Sequence, residues 1–517
     1  MKPYATGDCE TDPFYPGRVP KPFIWGHFDG SVYFETENIH EFLAYIYDRD
    51  EILYFHNGGK FDFHYLIPYI DGLTSLKVIS GRVAEFKIGA CTLRDSFCIL
   101  PTGLAAFNKT EFDYDKLEAV NRKKHMPEIR AYLKSDCLNL FNYLAAFFDK
   151  YPRRLTLAGT ALKVWRDMQG RVDKTDEKFY DTLAPFYFGG RCEVFQPGLH
   201  QGPLYLYDIN SAYPRAMIEE HPAGNSIIVS SKFKPANAHR SFYEIQAESN
   251  GALPHREDNG SINFPQREGT FFCTGHELLT ALETETAKII KINKAYTFGE
   301  TVNYKRYVKQ FYALKLDAEK ADDQTTRLFA KLFLNSLYGK MAANPSRYQE
   351  YKIGPFGSKP PEGYRPDNLI GNLQLFSKPL EDEQKRYYNL ATAASITGWV
   401  RAYLWKSIQE CSDVFYCDTD SIITTDHSPR LTLGDGLGAW NLESTFRNFA
   451  IAGKKLYAGK LVGGGTKVAS KGVRLTYAEI VKVAKGETVT YNPTVPTYSI
   501  KTGIGFTGRK VKMTTGA

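Results

Sequence analysis

The sequence lacks the features that would place it in a membrane, secreted or zinc-binding class. No apolar run approaches the ~18–20 residues of a membrane-spanning helix, and the N-terminal MKPYATGDCE has no signal-peptide core. The eight cysteines are scattered singly without a C-x-x-C pair, which argues against a zinc ribbon or a disulfide framework and fits a reducing compartment. We therefore expect a protein that is not secreted, does not bind membranes and works where it is made.

Length and charge predict a multidomain protein with one basic end. At 517 residues the chain is too long for a single hydrophobic core. The net charge is +7, yet residues 451–517 carry 12 Lys and Arg against 2 acids. A basic block on a nearly neutral body predicts a surface that faces phosphates, although a solvated lysine-rich tail would give the same count.

Hydrophobic patterning predicts a mixed α/β chain. Four segments have the pattern of strands, namely 52–57, 77–89, 204–210 and 414–423. Helices are predicted over 127–148, 153–171 and 304–341, the last interrupted near 322–324. The Pro- and Gly-rich stretch 353–368 is predicted to be a loop or a flexible insertion.

Four acids near the N-terminus come from three separate segments. Asp8 and Glu10 share a face if YATGDCET is a strand, Asp62 follows HNGGKF, and Asp136 lies one helical turn after Tyr132. Such a set suits two divalent ions ~3.5–4 Å apart that cleave a phosphodiester. The tyrosine could then orient the attacking water. A lone D-x-E is more often structural than catalytic, so the prediction depends on the two later segments.

The segment RLFAKLFLNSLYGKM is the most specific stretch of the chain. On a helix, Arg327, Lys331, Asn335 and Tyr338 share one face, and most of the apolar residues share the other. A basic and polar stripe that ends in a tyrosine suits a nucleoside triphosphate. A solvated helix face is the plainer interpretation, but it would not require N-S-L-Y-G at the end of the helix.

Two strand-like segments, LYLYDIN and VFYCDTDSII, carry aspartates among apolar residues. Asp208 closes the first, and Asp418 and Asp420 lie one residue apart in the second. Carboxylates this close resist burial unless cations compensate them. Oxygen ligands favour Mg²⁺ or Mn²⁺ over zinc, so we expect a second site for divalent ions.

Together these motifs resemble those of the family B DNA polymerases. D-x-E, N-x-x-x-F-D and Y-x-x-x-D are similar to the three motifs of the family's 3′→5′ exonuclease. D-I-N-S-A-Y-P, K-x-x-x-N-S-L-Y-G and Y-C-D-T-D-S are similar to polymerase motifs A, B and C, with Ala212 where motif A usually has leucine. The resemblance implies an α/β multi-domain fold in which an RNase H-like exonuclease domain precedes a right-hand polymerase.

The order of the motifs implies a division of the chain into domains. The expected parts are an exonuclease domain at 1–152, a linker at 153–186, a palm at 187–303 and 387–440, fingers at 304–345 and a basic thumb at 441–517. Two insertions are expected, one at about 231–300 and the other at 346–386.

For the exonuclease, the resemblance assigns a role to each motif residue. Asp8, Glu10, Asp62 and Asp136 would bind metal, Tyr132 would assist the attacking water, and Lys116 would assist catalysis. The residues expected to hold the frayed single-stranded 3′ end are Thr11, His56, Asn57, Phe61, Tyr65 and Ser96. For Phe61 and Tyr65, packing in the core is an equally good interpretation.

For the polymerase, the resemblance implies two Mg²⁺ ions, with Mn²⁺ able to substitute, held by Asp208, Asp418 and Asp420. Asp208 and Asp420 are expected to bridge them most directly. The expected nucleotide contacts are Ser211, Tyr213, Lys331, Asn335 and Tyr338, with Tyr213 excluding ribonucleotides. The expected DNA contacts, several of them from motifs similar to Y-x-G-G, T-x-x-x-R and K-x-Y, are Tyr187, Gly189, Gly190, Arg327, Lys340, Thr397, Arg401, Lys455 and Tyr457.

The economy of the chain resembles the protein-primed branch of the family, found in phages, adenoviruses and linear plasmids. That branch implies a DNA-directed DNA polymerase that starts from the hydroxyl of a terminal protein and displaces the strand ahead of it. The expected partners are template and primer DNA, deoxynucleoside triphosphates and a terminal protein. The chain is expected to be a monomer in the cytoplasm of a host cell.

Other functions stay open at this stage. A primer-independent or oligonucleotide-primed relative would make product without any terminal protein. A catalytically inactive DNA-binding factor is disfavoured because every expected acid is present. An RNA-templated enzyme is disfavoured because K-x-x-x-N-S-L-Y-G is typical of the DNA-templated group.

Overall fold

The computed structural model describes residues 2–103, 111–169, 176–344, 348–381, 387–427 and 429–514. Its strands form a ten-stranded, a seven-stranded and a four-stranded sheet together with small two-stranded ones, and helices pack on and between the sheets. The mixed α/β architecture agrees with the sequence pattern.

The first unit is a sheet with a long helix across it. Its elements are β1 Tyr4–Thr11, β2 Pro22–Phe28, β3 Tyr33–Thr36, α1 Ile39–Tyr47, β4 Ile52–Phe55, α2 Phe63–Leu66, β5 Thr74–Ile79, β6 Arg82–Ile88, β7 Cys91–Asp95, α3 Ala119–Lys150 and α4 Leu157–Gln169. The predicted strand 77–89 is therefore two strands. β1 lies between β2 and β4. The Thr6 hydroxyl donates a 2.7 Å hydrogen bond to the Cys137 carbonyl, which holds α3 against β1.

The next part of the chain supplies two strands of the second large sheet and then a separate four-stranded sheet. Its elements are α5 Tyr180–Leu183, β8 Cys192–Val194, β9 Gly198–Ile209, α6 Ala212–Met217, β10 His221–Ser230, β11 Ser241–Asn250, β12 His255–Arg256, β13 Ile262–Asn263, β14 Gln266–Thr274, α7 Gly275–Glu283 and β15 Ala287–Val302. The four-stranded sheet has the order β10-β15-β11-β14 and contains most of the first predicted insertion.

Two helices follow, α8 Lys305–Lys320 and α9 Gln324–Met341, and the predicted interruption between them is confirmed. Asp322 has a left-handed backbone with φ 52°. The Asp323 side chain accepts a 2.9 Å hydrogen bond from the Thr326 amide, which caps α9. Phe311 and Phe333 stack at 4.6 Å and hold the two helices together.

The stretch predicted as a loop at 353–368 is partly strand. β16 Gln349–Pro355, β17 Arg365–Ile370 and β18 Leu373–Pro379 lie side by side in the order β17-β18-β16, all antiparallel, and β16 pairs with β5 of the first unit. The first sheet thereby grows to ten strands. Residues 346–347 and 382–386 of the predicted second insertion lie outside the described residues, as do 170–175 of the predicted linker.

The C-terminal part completes the second large sheet. Its elements are α10 Leu390–Gln409, β19 Val414–Asp418, β20 Ser421–Thr424, β21 Trp440–Gly453, β22 Leu456–Leu461, β23 Thr466–Ser470, α11 Tyr477–Ala484, β24 Val489–Tyr491, β25 Thr497–Ser499, β26 Gly503–Gly505 and β27 Arg509–Val511. The sheet order is β23-β22-β21-β9-β20-β19-β8. The predicted thumb boundary at 441 therefore cuts through this sheet. Among the described helices, none has the length and apolar character needed to cross a membrane.

Candidate active sites

One carboxylate site lies at the end of three neighbouring strands of the seven-stranded sheet. Ser421 of β20 pairs with Asp208 of β9 on one side and with Asp418 of β19 on the other. Thr419 adopts a left-handed backbone with φ 62°, and the Asp420 amide donates a 2.6 Å hydrogen bond to the Asp418 carbonyl. This tight turn brings acids from distant parts of the sequence to one place.

The electrostatics of this site fit divalent cations. Burial, followed by the charge of Asp420, raises the pKa of Asp208 to about 7. Burial, followed by the charge of Asp418, raises the pKa of Asp420 to about 6. Asp418 forms an ion pair with the Lys455 ammonium and accepts a 3.3 Å hydrogen bond from the Tyr416 hydroxyl. Carboxylate oxygens that disfavour their own charge are the ligand set that a hard divalent ion would stabilise.

A cavity of about 310 Å³ joins these acids to α9. The predicted residues that line it are Asp208, Ser211, Tyr213, Arg327, Lys331, Asn335 and Asp420. Tyr213 stacks on Tyr338 with the ring centroids 4.2 Å apart and the planes within 5°. The structure thus brings the predicted nucleotide residues together. Arg327, which is predicted to contact DNA, also lines this cavity.

Lys315 and Asn441 are among the lining residues that the sequence does not predict. Lys315 of α8 enters the cavity, and Glu319 contacts both it and Arg327, at 3.9 and 2.9 Å. Asn441 of β21 pairs directly opposite Asp208. Lys315 is an ordinary helix lysine in the sequence, and Asn441 is more than two hundred residues from its partner, so neither carried a local signal.

The Tyr187–Gly190 loop lies against the Asp418–Asp420 turn. The Thr419 amide donates a 2.6 Å hydrogen bond to the Arg191 carbonyl, just after the loop. A β-carbon at Gly190 would lie only 2.7 Å from the Thr419 hydroxyl oxygen, which explains a glycine there. Gly189 has open space around it.

The structure contradicts direct DNA contacts by Thr397 and Arg401. Their exposures are 2% and 1%, because both lie on the buried face of α10. The Arg401 Nε donates to Glu277 at 2.7 Å, and its Nη1 donates to the carbonyls of Phe188 and Gly189 at 2.7 and 2.8 Å. Arg401 therefore anchors the Tyr187–Gly190 loop from behind. The Thr397 hydroxyl donates to the Ala394 carbonyl at 3.1 Å.

The other predicted DNA contacts lie at two places. Tyr457 is beside the acids, with its ring 5.1 Å from that of Tyr416. Lys340 lines a different cavity, of about 420 Å³, together with Lys77, Arg154, Lys163 and Arg166. Basic side chains line this second cavity, and none of them lines the cavity beside Asp208.

A second carboxylate site lies in the first unit. Ligand oxygens of Asp8, Glu10 and Asp136 all fall within 4.8 Å of one another, which suits a metal ion. Asp62 accepts a 3.0 Å hydrogen bond from the Cys9 thiol, and its burial raises the pKa of the carboxyl to about 6. Of the four predicted ligands, three are thus gathered and Asp62 is held by Cys9.

Tyr132, His56 and Asn57, which are predicted to act at this site, each contact neighbouring groups. The ring of Tyr132 stacks on Phe112 at 4.3 Å. His56 lies between the Ser96 hydroxyl and the Thr102 carbonyl, at 3.0 and 2.8 Å. The Asn57 side chain accepts a 2.8 Å hydrogen bond from Arg82.

Four more predicted residues have local partners. The Thr11 hydroxyl donates to the Asp12 carbonyl at 3.0 Å. Lys116 forms an ion pair with Glu128 of α3. Phe61 and Tyr65 meet edge to face, with centroids 5.6 Å apart. Phe61 directly precedes Asp62 and Tyr65 follows it by three residues, so the pair flanks this acid in the sequence.

Comparisons of sequence give several polymerases as relatives. A family model described as "DNA polymerase type B, organellar and viral" matches residues 108–358. The DNA-directed DNA polymerase of Enterobacteria phage PRD1 is 38% identical over 487 residues, which cover 92% of this chain and 86% of that protein. The DNA polymerase of Bacillus phage phi29 is 26% identical over 500 residues, covering 83% of this chain and 81% of that protein.

Comparisons of structure agree with those of sequence. An orthorhombic crystal form of phi29 DNA polymerase has a TM-score of 0.78 at 19% identity, covering 99% of this chain and 100% of that one. The complex of phi29 DNA polymerase with primer-template DNA and incoming nucleotide substrates has a TM-score of 0.77 at 19% identity, with the same coverage. The fold of the whole chain is therefore shared with these structures.

Proposed function

This chain belongs to the organellar and viral type B DNA polymerases and is a DNA-directed DNA polymerase, and we propose that it carries two separate metal-dependent sites. In this proposal, the seven-stranded sheet with α8 and α9 extends DNA. The part of the first unit at residues 1–152 removes mispaired 3′ ends. The sheets, helices and insertions then correspond to the palm, fingers, thumb and two insertions predicted above.

The observation that carries the polymerase assignment is the cavity shared by Asp208, Asp420, Lys331 and Tyr213. Its cationic side chains would bind the triphosphate of an incoming deoxynucleotide, and the Tyr213–Tyr338 stack would form a flat surface beside the sugar and base. Mg²⁺ held by Asp208, Asp418 and Asp420 would supply a lowered pKa for the primer 3′ hydroxyl and charge neutralisation for the departing pyrophosphate.

Lys455 and Tyr416 would then organise the acids before substrate arrives. The Lys455 ammonium neutralises Asp418, and the Lys455 amide donates a 2.9 Å hydrogen bond to the Tyr416 oxygen, whose own hydroxyl reaches Asp418. A neighbouring cation lowers the cost of gathering three carboxylates. Lys455 would turn to the primer terminus once divalent ions replace it.

For the exonuclease site we propose that Asp8, Glu10 and Asp136, joined by Asp62, bind Mg²⁺. The gathered oxygens of the first three support this. Bound there, the metal would supply an activated water and stabilise the leaving 3′ oxygen. Tyr132 would orient that water, and Phe61 and Tyr65 would hold the terminal bases.

Lys331→Gln tests the nucleotide cavity. Removing one cation from a triphosphate site should raise the KM for deoxynucleotides in primer extension by about tenfold, with a smaller change in kcat. Lys309→Gln is the matched control, because Lys309 is an exposed lysine of the neighbouring helix α8. Equal KM values for the two variants would contradict this binding site.

We further propose that synthesis starts from a terminal protein in the host cytoplasm and proceeds with strand displacement. Two contacts support a closed ring around DNA. β16 pairs with β5, and the Asn368 side chain donates a 2.6 Å hydrogen bond to the Lys501 carbonyl near the C-terminus. Such a ring would retain the template while its partner strand is peeled away.

Initiation distinguishes this priming mode from its alternatives. A labelled deoxynucleotide should become covalently attached to a protein encoded near the polymerase when template and metal are present. Free product formed with neither protein nor oligonucleotide would instead identify a primer-independent enzyme. Product that requires an added oligonucleotide would identify an oligonucleotide-primed enzyme.

A further inference from the structure

The hairpin β25–β26 near the C-terminus packs on the first unit, although more than three hundred residues separate them in sequence. Ile500, between the two strands, is 1% exposed and belongs to the same apolar cluster as residues of β1, β4 and β6. Tyr498 of β25 is 3% exposed. A hairpin from the polymerase end of the chain is thus built into the wall of the first unit.

Tyr498 contacts both aromatic residues predicted to hold single-stranded DNA. Its ring lies 5.2 Å from that of Phe61 at 79° and 6.0 Å from that of Tyr65 at 65°, both edge to face. The two tyrosine oxygens are 2.8 Å apart. Because the Tyr65 hydroxyl donates to the Pro20 carbonyl at 2.5 Å, Tyr498 must be the donor to Tyr65.

This contact lies beside the exonuclease acids. Phe61 directly precedes Asp62 in the sequence. Burial raises the pKa of Tyr498 to about 12, and the nearby Cys9 and Asp62 contribute in the same direction. Cys9 is the residue between Asp8 and Glu10 on β1.

The aromatic cluster has one open side and one covered side. Phe14 is 41% exposed and its ring is 5.5 Å from that of Phe61, so the cluster reaches the surface there. Tyr498, at 3% exposure, is the buried member of the cluster. Its buried ring can therefore act on DNA only through Phe61 and Tyr65.

We propose that Tyr498 is a positioning residue of the exonuclease site, supplied by the C-terminal hairpin, which fixes Phe61 and Tyr65 in the orientation that receives the 3′-terminal nucleotides. The inference rests on the proposed exonuclease function of the first unit. It also implies that a movement of the C-terminal segment would change the orientation of Phe61 and Tyr65 at the exonuclease site.

The test is the kinetics of 3′ degradation of a single-stranded oligonucleotide by the full chain. Tyr498→Ala removes the ring that supports Phe61 and should raise KM by about tenfold, with kcat changed less than about twofold, because aromatic stacking contributes to binding and the acids are untouched. Tyr498→Phe keeps the ring and loses only the hydrogen bond, so KM should rise by about threefold.

A double variant tests the hydrogen bond itself. Tyr65→Phe removes the bond to Tyr498 and also the bond to the Pro20 carbonyl. Adding Tyr498→Phe to Tyr65→Phe should therefore cost nothing beyond Tyr65→Phe alone. Tyr491→Ala is the matched control, because Tyr491 packs within the C-terminal segment. Thermal unfolding shows that each variant is folded, and Tyr498→Phe serves if Tyr498→Ala is not.

The outcomes separate the inference from the function on which it rests. If the wild-type protein degrades DNA and neither Tyr498 variant changes KM, the inference is overturned and the exonuclease stands. An equal rise in KM for Tyr491→Ala also overturns it, since a general loosening of the segment would then explain the effect. A wild-type protein without 3′ degradation would overturn the exonuclease function and the inference with it.

Discussion

The two carboxylate sites are built from the same kind of ligand but are surrounded differently. In the polymerase site Asp418 pairs with Lys455, and the charges of Lys467 and Lys331 lower the pKa of Asp208 against the larger effect of burial. In the exonuclease site the acids adjoin thiols. Burial and then the charges of Asp8, Asp136, Glu10 and Asp62 raise the pKa of Cys137 well above its usual value.

The two sites differ in the side chains that lie beside their acids. The polymerase site has protein cations that also suit a triphosphate, so it is partly compensated before the substrate binds. The exonuclease site places the Cys9 and Cys137 thiols among its acids, and burial together with the charges of those acids raises the pKa of both thiols. The scaffolds differ as well. The polymerase acids lie at the ends of strands of one sheet, whereas Asp8 and Glu10 of the exonuclease site lie on a strand and Asp136 lies on a helix.

The largest expected effect is the loss of stability caused by Arg401→Ala, a change behind the polymerase site. The change leaves Glu277 buried without its partner and frees the Tyr187–Gly190 loop, at a cost of about 3–5 kcal/mol in the free energy of unfolding. Chemical denaturation and primer extension measure it. A variant as stable as the wild type would contradict the anchoring role of Arg401.

Gly190→Ala sharpens the comparison with a steric change near one site only. The added methyl group would push Thr419, and primer extension should fall by about tenfold while 3′ degradation changes little. Gly189→Ala has open space and should have a smaller effect on extension. Equal losses for both variants would show that steric pressure on the turn is not the cause.

The smallest effect concerns pH in the metal-free protein. Since the folded-state pKa of Asp208 is raised to about 7, its contribution to stability is complete at low pH and is lost as pH rises from about 4 through 7. Asp208→Asn should therefore stabilise the metal-free protein at pH 8 by about 1 kcal/mol and have little effect at pH 4.

Thermal unfolding with and without Mg²⁺ measures this pH-dependent contribution of Asp208 to stability. Added Mg²⁺ should stabilise the wild type more at pH 8 than at pH 5, because it binds the ionised acids. Asp149→Asn, at an exposed position of α3, is the control and should change neither curve. Stabilisation of the Asp149 variant at pH 8 to the same extent would point to net charge as the cause.

Local motifs were predictable because their chemistry lies within a few residues. The turn at Asp418–Asp420, the stripe on α9 and the helix break at Asp322 each depend on neighbours in sequence. The pairing of β16 with β5 and of Asn441 with Asp208 depends on chain topology, which no short motif encodes. Arg401 was mistaken for a DNA contact because an arginine at a motif position looks the same whether it faces solvent or a buried glutamate.

The measurement that tests the two-site account most directly is the ratio of extension to degradation on one labelled primer-template. Asp420→Asn should lower extension by at least about 10³-fold and leave 3′ degradation within about twofold, and Asp8→Asn should do the reverse. Loss of both activities in either folded variant would contradict two independent sites.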